Sequence, residues 1–247
     1  MEKKVDLIGN GNVAQYFWAA FKAAGITVDI WARNPRNLEQ KYLPDYQGDS
    51  TLTLLCVNDE AIAEVSESLP KTTGVVAHVS GSAPLNVLSS KHAERAIFYP
   101  LMSLSPSVKT QLREIPFCLE ANTNETLIEL EKFTASFSGK AYRVNSKQRP
   151  YLHLAAVVAH NFSNHLFHKA YIICQQQQLN FEMLQPLLKQ AVGNLGAFDP
   201  QLLQTGPAVR KDESTLNKHL KLIENKRLKE IYSLLTKSIQ ESHETKL

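Results

Sequence analysis

Along the first 145 residues, short apolar runs alternate with longer segments whose apolar positions recur at helical spacing. The runs Lys4–Ile8, Thr27–Ala32, Thr51–Val57, Val75–Ser80, Ala96–Tyr99, Ile115–Glu120 and Ala141–Val144 are predicted strands. Thr51–Val57 is continuously apolar, as expected of a strand covered on both faces. Pro116 stands near the start of its run, where an edge strand tolerates it. Between the runs, Val13–Ala24, Glu60–Leu69 and Glu125–Phe137 show helical periodicity, with Val13, Phe17, Ala20, Phe21 and Ala24 on one face of the first. Gly25 closes that helix, and Asn58-Asp59 offers an N-cap to the next. Strands alternating with helices predict a doubly wound, mostly parallel α/β sheet.

The rhythm changes near Ser146, and no further strand pattern follows. Arg149–Gln178 is expected to form one long helix, broken at most near Pro150. Phe181–Leu195 is a second, with Pro186 marking a kink or restart. Ser214–Ile239 is a final helix or pair, with Ser214 as a possible N-cap. Gln175–Gln178 is expected to fray, and the polar stretch Gln240–Leu247 to be loose. These patterns divide the chain into an α/β domain, 1–145, and an all-α domain, 146–247.

The junction of the first strand and helix carries the most chemistry. Gly9-Asn10-Gly11-Asn12-Val13-Ala14 is a G-x-G-x-x-A turn between a strand and a helix. Gly9 permits the tight turn, Gly11 lets the backbone approach a diphosphate, and Ala14 lets the helix pack close to the sheet. The phosphates would meet N–H groups at the positive end of the helix. With the strand that follows, this makes a βαβ unit and a Rossmann-like, dinucleotide-binding half. The second strand ends in Ala32-Arg33-Asn34-Pro35-Arg36, without the carboxylate that would accept hydrogen bonds from the ribose of NAD. Guanidiniums at Arg33 and Arg36 could grip a 2′-phosphate, which favours NADP as cofactor. The alternative is that both are solvated loop residues.

Composition narrows the class. The 247 residues are 43% hydrophobic, enough for a large core or two modest ones. A net charge of +3 gives no argument for nucleic acid or an anionic membrane as partner. The three cysteines (Cys56, Cys118 and Cys174) are scattered, as reduced thiols are, and fit neither a disulfide framework nor a zinc site. The start leads into a strand and not a secretory signal, and no apolar run approaches a membrane span. A cytoplasmic protein is expected.

Three other places could hold chemistry. Ligands of open α/β sheets bind at the carboxyl ends of strands. Val57-Asn58-Asp59 ends one strand, where its polar groups could line a cofactor. Ser80-Gly81-Ser82 ends another, where Ser80 could donate to substrate or nicotinamide, or simply form a turn. Tyr99-Pro100 reads as a structural, Pro-directed loop. The long helix holds His153, His160, Asn161, Asn164, His165 and His168 in an apolar stretch. At 100° per residue, His153, His160 and Asn164 share one face, and Asn161, His165 and His168 another. They could face a cleft, with histidine giving a proton and asparagine orienting a carbonyl, or they could be satisfied core or dimer-interface groups. No carboxylate or thiolate accompanies them to complete a metal site. Finally, Gly206-Pro207 makes a rigid turn before Arg210 and Asp212. Arg210 could bind an anionic group there, or pair with Asp212 and merely fix the loop.

The N-terminal G-x-G-N-V-A, Trp31-Ala32-Arg33-Asn34 and Ser80-Gly81-Ser82 resemble the 6-phosphogluconate dehydrogenase-like superfamily, which includes pyrroline-5-carboxylate reductase and the deazaflavin-dependent NADP reductases. His153-Leu-Ala-Ala-Val, Asn161-Phe162-x-Asn164 and Gln204-Thr-Gly-Pro-Ala-x-Arg210-x-Asp212 resemble a bacterial subfamily of candidate NADP oxidoreductases whose helical C-terminal domain has no assigned function. The resemblance covers essentially the whole chain. It implies an NADP-binding domain, a helical dimerisation domain, a cleft between them and a small-molecule substrate, without naming that substrate. In many hydroxyacid dehydrogenases of the superfamily an interdomain helix carries Lys-x-x-x-Asn. Here His160 and Asn164 occupy that spacing and the lysine is missing. The expected function is hydride transfer between NADPH and a small carbonyl or imine compound. The alternatives are a non-catalytic NADP sensor and a structural dimer with a vestigial cleft. A helix this long and apolar also predicts a homodimer through the helical half.

Overall fold

A computed structural model describes residues 4–104 and 110–244. The chain divides into two compact units, Met1–His160 and Asn161–Leu247. The first is built on an eight-stranded sheet of β1 (Lys4–Ile8), β2 (Thr27–Ala32), β3 (Gln40–Tyr42), β4 (Leu52–Leu55), β5 (Val75–His78), β6 (Arg95–Pro100), β7 (Pro116–Ala121) and β8 (Lys140–Arg143). Their order across the sheet is β3-β2-β1-β4-β5-β6-β7-β8. Neighbours are parallel except β6 and β7. The crossover helices are α1 (Asn12–Ala23), α2 (Ile62–Ser68) and α3 (Asn124–Ala135). The doubly wound, mostly parallel, Rossmann-like sheet read from the sequence is thus the observed one.

Strand alternation sends side chains to two cores. Val5 and Leu7 join α1 in an aromatic core where Phe17 stacks on Phe21 at 5.1 Å and Phe98 lies 4.7 Å from Phe117. Ile8 points to the other face, with Trp31, Tyr46 and the α2 residues Ile62 and Val65. Asp6 shares that second face. It is fully buried, and accepts a hydrogen bond from Trp31 Nε1 at 2.9 Å. Nearby, Tyr46, Ser50 and Thr53 bond one another.

The differences from the sequence reading have local causes. β3 reads Gln-Lys-Tyr, too short and polar to show a strand pattern. Pro116 is not on an edge strand. It opens β7, an interior strand, where the missing N–H falls at the end of the ladder and its carbonyl accepts from Leu101 N. Glu60–Leu69 begins as a 3-10 turn, Asp59–Ala61, and Asn58 makes no side-chain cap. The long helix is interrupted. α4 (Arg149–Ala156) passes into a π-helical stretch, Val157–Phe162, and then α5 (Ser163–Gln176). A π turn is wider than an α turn, so the face assignments made at 100° per residue do not carry across it.

The second unit is all helical. After α5 come α6 (Gln185–Gly193), restarted by Pro186 in its first turn, α7 (Glu213–Leu222) and α8 (Lys226–Glu244). His219 on α7 bonds the Tyr232 hydroxyl on α8 at 2.8 Å. α7 is capped by Asp212, not Ser214: the Asp212 carboxylate accepts from Thr215 N and Thr215 Oγ1. α8 runs to Glu244, so residues 240–244 are helical and not loose, and 245–247 lie outside the described residues. Among the described residues no helix is long and apolar enough to cross a membrane.

Burial holds the Asp6 carboxyl above the usual carboxylate range, partly offset by the Trp31 hydrogen bond and by Lys4. Its neutral form is therefore favoured in the fold. Its stabilising contribution is complete below the unfolded value of 3.8 and is lost as pH rises through the raised folded value. Asp6→Asn keeps an oxygen for Trp31 and removes the titration. Urea unfolding at a series of pH values should show a stability difference in the variant's favour that widens from acid toward neutral pH; a difference constant with pH refutes the assignment.

Candidate functional site

The strand order reverses between β1 and β4, and a cavity of about 460 Å³ lies at that point. Its floor is the turn leaving β1. Gly9 has φ +117°, and a Cβ built there would come 2.5 Å from the Cys56 carbonyl oxygen, so the protein itself demands glycine. Gly11 is different. It has φ −75°, and a Cβ there would meet no protein atom within 4 Å. Nothing in the chain requires glycine at 11, and its bare backbone faces the cavity.

Gly11 is the N-cap of α1 and offers no side chain, and the first turn holds no acidic residue. The amides of Asn12, Val13 and Ala14 therefore have neither an intrahelical acceptor nor a capping group. The first intrahelical bond runs from Gln15 N to Gly11 O at 3.0 Å. Uncapped amides at a helix N-terminus suit a diphosphate. Fully buried Ala14 seats the helix on the sheet.

Of the predicted cofactor residues, Gly9, Asn10, Gly11, Arg33, Asn34, Val57 and Asn58 line the cavity. Asn12, Val13 and Ala14 form the adjacent helical turn, and Ser80 is not in the lining. Arg36 also lines it, as do Trp31, Leu43, Ala61 and Val65, an apolar wall the sequence reading missed. Arg33 Nη1 is 3.7 Å from Glu64 Oε1, but both side chains are mostly exposed, at 63% and 74%. A pair that open contributes little, and the guanidinium can exchange it for a phosphate.

A second polar cluster follows β5. The Ser80 hydroxyl donates to Asp59 Oδ2 at 2.7 Å and accepts from Ser82 N and Ala83 N. The Ser82 hydroxyl also donates to Asp59. Asp59, read from sequence as part of a cap and as a possible cofactor-lining group, is not in the cavity lining but is the hub of this turn, and the Ser80 proton is committed to it. Buried His78 accepts from Ser80 N through Nδ1, which leaves its proton on Nε2, 3.4 Å from the Pro84 carbonyl. Burial, reinforced by Arg149, lowers the His78 pKa to about 4, so this imidazole is neutral and structural.

His153 on α4 sits against this turn. Its Nδ1 is 3.1 Å from the Tyr99 hydroxyl, and a Cβ on Gly81 would lie 2.7 Å from His153 Nδ1 and from Tyr99 Cζ. Burial raises the Tyr99 pKa and keeps the phenol protonated. The phenol and Nδ1 share one hydrogen bond, in which the His153 tautomer sets the donor. Tyr99 was read from sequence as structural; here its hydroxyl anchors the imidazole at Nδ1.

Arg149, at the start of α4, is fully buried. Its guanidinium bonds Glu120 Oε2 on β7 at 2.6 Å and the Ala83 carbonyl. Ser146 Oγ donates to the same Glu120 oxygen at 2.7 Å. These bonds pin the root of α4 beside the Ser80–Ala83 turn. No sequence pattern marked Arg149 or Glu120, which lie 29 positions apart.

The remaining candidates are less enclosed. His153 is half-buried, while His160, Asn161, Asn164, His165 and His168 are exposed, so the cost of burying polar groups applies only to His153. In the second unit Arg210 is exposed on the turn before α7, and Asp212 accepts from Thr215. Those bonds, with Thr215 first, hold its carboxyl below the usual range. Cys56, Cys118 and Cys174 are free and buried. Among the described residues no group of His, Cys, Asp and Glu is arranged to hold a metal.

A family model matches residues 115–239, and the chain belongs to that family, a domain of unknown function, DUF2520. The chain is 29% identical to a solved Bacteroides fragilis protein named as a candidate NADP oxidoreductase, over 97% of this chain and 98% of that one, with a TM-score of 0.88. The fold recurs in an Aspergillus terreus reductive aminase solved with NADPH and ethyl levulinate, at 15% identity, coverage of 98% and 95%, and a TM-score of 0.71. It recurs too in a Plasmodium falciparum pyrroline carboxylate reductase solved with NADP, at 11% identity, coverage of 99% and 98%, and a TM-score of 0.63. No curated protein matches the chain in sequence.

Removing one partner of a buried ion pair leaves the other uncompensated. Arg149→Ala should lower unfolding free energy by about 3–5 kcal/mol in chemical denaturation. A loss under about 1 kcal/mol, the range of an exposed pair, contradicts the anchoring role.

Proposed function

We propose that this protein is an NADP-dependent oxidoreductase that passes hydride between NADPH and a small carbonyl or imine compound. One observation carries the reading: an open cavity at the strand-order reversal joins an uncapped helix N-terminus, a glycine whose Cβ would meet no protein atom, and two arginines. That layout matches the charges of NADP, with amides for the diphosphate and guanidiniums for the 2′-phosphate. The likeness to the Bacteroides protein and the fold shared with NADP-bound reductases support the same class. Membership of the 6-phosphogluconate dehydrogenase-like superfamily, with kinship to deazaflavin-dependent NADP reductases, is part of the same proposal.

When bound, the nicotinamide supplies or accepts the hydride. The chain's own residues hold and protonate. The amides of Asn12, Val13 and Ala14 receive the diphosphate, Arg33, Asn34 and Arg36 the adenosine end, and Val57 and Asn58 the stretch between. Ser80 acts through Asp59, fixing the turn that backs the reaction centre. His153 holds a proton at Nε2 to neutralise charge developing on the substrate oxygen or nitrogen, with Tyr99 at its other nitrogen. His160 is a second proton-transfer candidate, and Asn161 and Asn164 are orienters. Within the second unit, exposed Arg210 is a candidate to bind an anionic group, while Asp212 fixes the start of α7. A sensor without turnover is the second reading; it is favoured by His160 standing where related dehydrogenases carry lysine.

Titration with NADPH and NADH tests the nucleotide reading. NADPH should bind more tightly, and Arg33→Ala and Arg36→Ala should each weaken it about tenfold. No binding at millimolar NADPH rejects the reading. NADPH oxidation with a panel of carbonyl and imine compounds separates enzyme from sensor. His153→Ala should cut turnover by about 100-fold or more; undiminished turnover in that variant rejects His153 as the acid.

We also propose a homodimer through the second unit. Large apolar side chains stand exposed there, among them Met183 at 74%, Leu187 at 61%, Leu202 at 68% and Leu234 at 70%. Apolar exposure on this scale marks an interaction surface, and the commonest partner is a second copy. Light scattering on a sizing column should give twice the chain mass, and Met183→Glu with Leu187→Glu should shift it toward one. A wild-type monomer at micromolar concentration overturns the proposal.

A further inference from the structure

We propose that Gln40 sets the preference for a 2′-phosphorylated nucleotide, by locking the adenosine-end loop to the diphosphate turn. The inference rests on the nucleotide reading above. Gln40 opens β3, paired to Ile30 of β2, and its residue is 7% exposed. One atom of its side chain receives Arg36 N at 2.9 Å and Asn10 Nδ2 at 3.4 Å. Both partners are donors, so that atom is the amide oxygen Oε1. Asn10 lies between the two glycines of the diphosphate turn, and its Nδ2 also donates to the Asn34 carbonyl at 3.1 Å. The Gln40 backbone N–H closes the loop on the Asn37 carbonyl at 3.3 Å. A buried amide therefore ties together Asn10, at the phosphate end of the cavity, and the loop that carries Arg33, Asn34 and Arg36.

The consequence is selective. Arg33 and Arg36 follow the end of β2 on an irregular, exposed loop. Unrestrained, that loop would spread its guanidiniums over many positions, and binding would have to order them. Prior ordering strengthens binding by reducing that cost. Only a nucleotide with a 2′-phosphate uses these guanidiniums, so only it gains. Loss of the Gln40 oxygen should weaken NADPH and leave NADH nearly untouched. A purely structural role would weaken both together.

The test compares NADPH and NADH dissociation constants for wild type and Gln40→Met, which keeps length and removes the acceptor. NADPH should weaken about tenfold and NADH by no more than about twofold. Thermal unfolding and circular dichroism establish that the variant folds. If it does not, Gln40→Asn, which withdraws the oxygen by one methylene, gives the same comparison with the same expected direction. An unchanged ratio of the two constants, or an equal loss of both nucleotides, overturns the role of Gln40 and leaves the nucleotide reading standing. A wild type that binds NADH as tightly as NADPH overturns it together with the NADP preference proposed above, and leaves standing only a site for a pyridine nucleotide. A wild type that binds neither overturns both.

Discussion

The contact on which the site depends is the approach of the Gly9 backbone to the Cys56 carbonyl. β1 and β4 are parallel neighbours, yet the chain leaves them toward opposite sides of the sheet. For a cleft to open there, the turn after β1 must bend away at once, with positive φ and no Cβ. Gly9 meets both demands. The two glycines of the motif are therefore not equivalent. Gly9 is required by the fold, and its replacement would strain the molecule with or without a ligand. Gly11 answers to no protein atom, and a Cβ there would stand in open space. That asymmetry is what the proposed nucleotide reading draws on: one glycine serves the fold, and the other leaves the backbone bare beside the cavity.

The polar groups beside the cavity show a similar division. Asp59, Ser80, Ser82 and His78 spend their hydrogen bonds on one another and on the backbone. Arg149 and Glu120 do the same at the root of α4. These networks rigidify at their buried members, because opening a bond of Ser80, His78 or Arg149 leaves a buried polar group without that partner. His153 stands at the edge of this set. Its Nδ1 faces Tyr99, and the described hydrogen bonds leave its Nε2 outside the network. A residue anchored at one ring nitrogen and uncommitted at the other is equipped to deliver a proton. In the proposed reading, the surrounding network serves to hold that ring still.

What could be read from the sequence was local. The β1 turn, the strand-end arginines and the alternating half depend on neighbours within one βαβ unit, so spacing reveals them. Gln40 was missed because β3 is three residues long and carries no apolar alternation. The partnerships of Tyr99, Asp59, Glu120 and Arg149 were missed as a group for one reason. Their partners lie 21 to 54 positions away, and nothing local marks a residue as half of a distant pair. The straight projection of the histidine helix failed for another reason. Hydrogen-bond registry inside a helix is invisible to composition, and the π stretch Val157–Phe162 resets the faces at His160 and Asn161. π segments recur at functional sites, which makes this departure informative in itself.

The two units differ in how they use apolar residues. In the first, Phe17, Phe21, Phe98 and Phe117 are fully enclosed. In the second, few side chains are buried, Cys174, Ala208 and Leu216 among them, while Phe162, Leu187 and Leu222 stand in the open. Isolated helices of this length are marginal in water and draw stability from packing an apolar face. The second unit therefore exposes more apolar helix surface than its own interior covers. A second copy of the chain is the cover proposed above, and it would act by burying side chains such as Leu187 and Leu222, which stand open in a single chain.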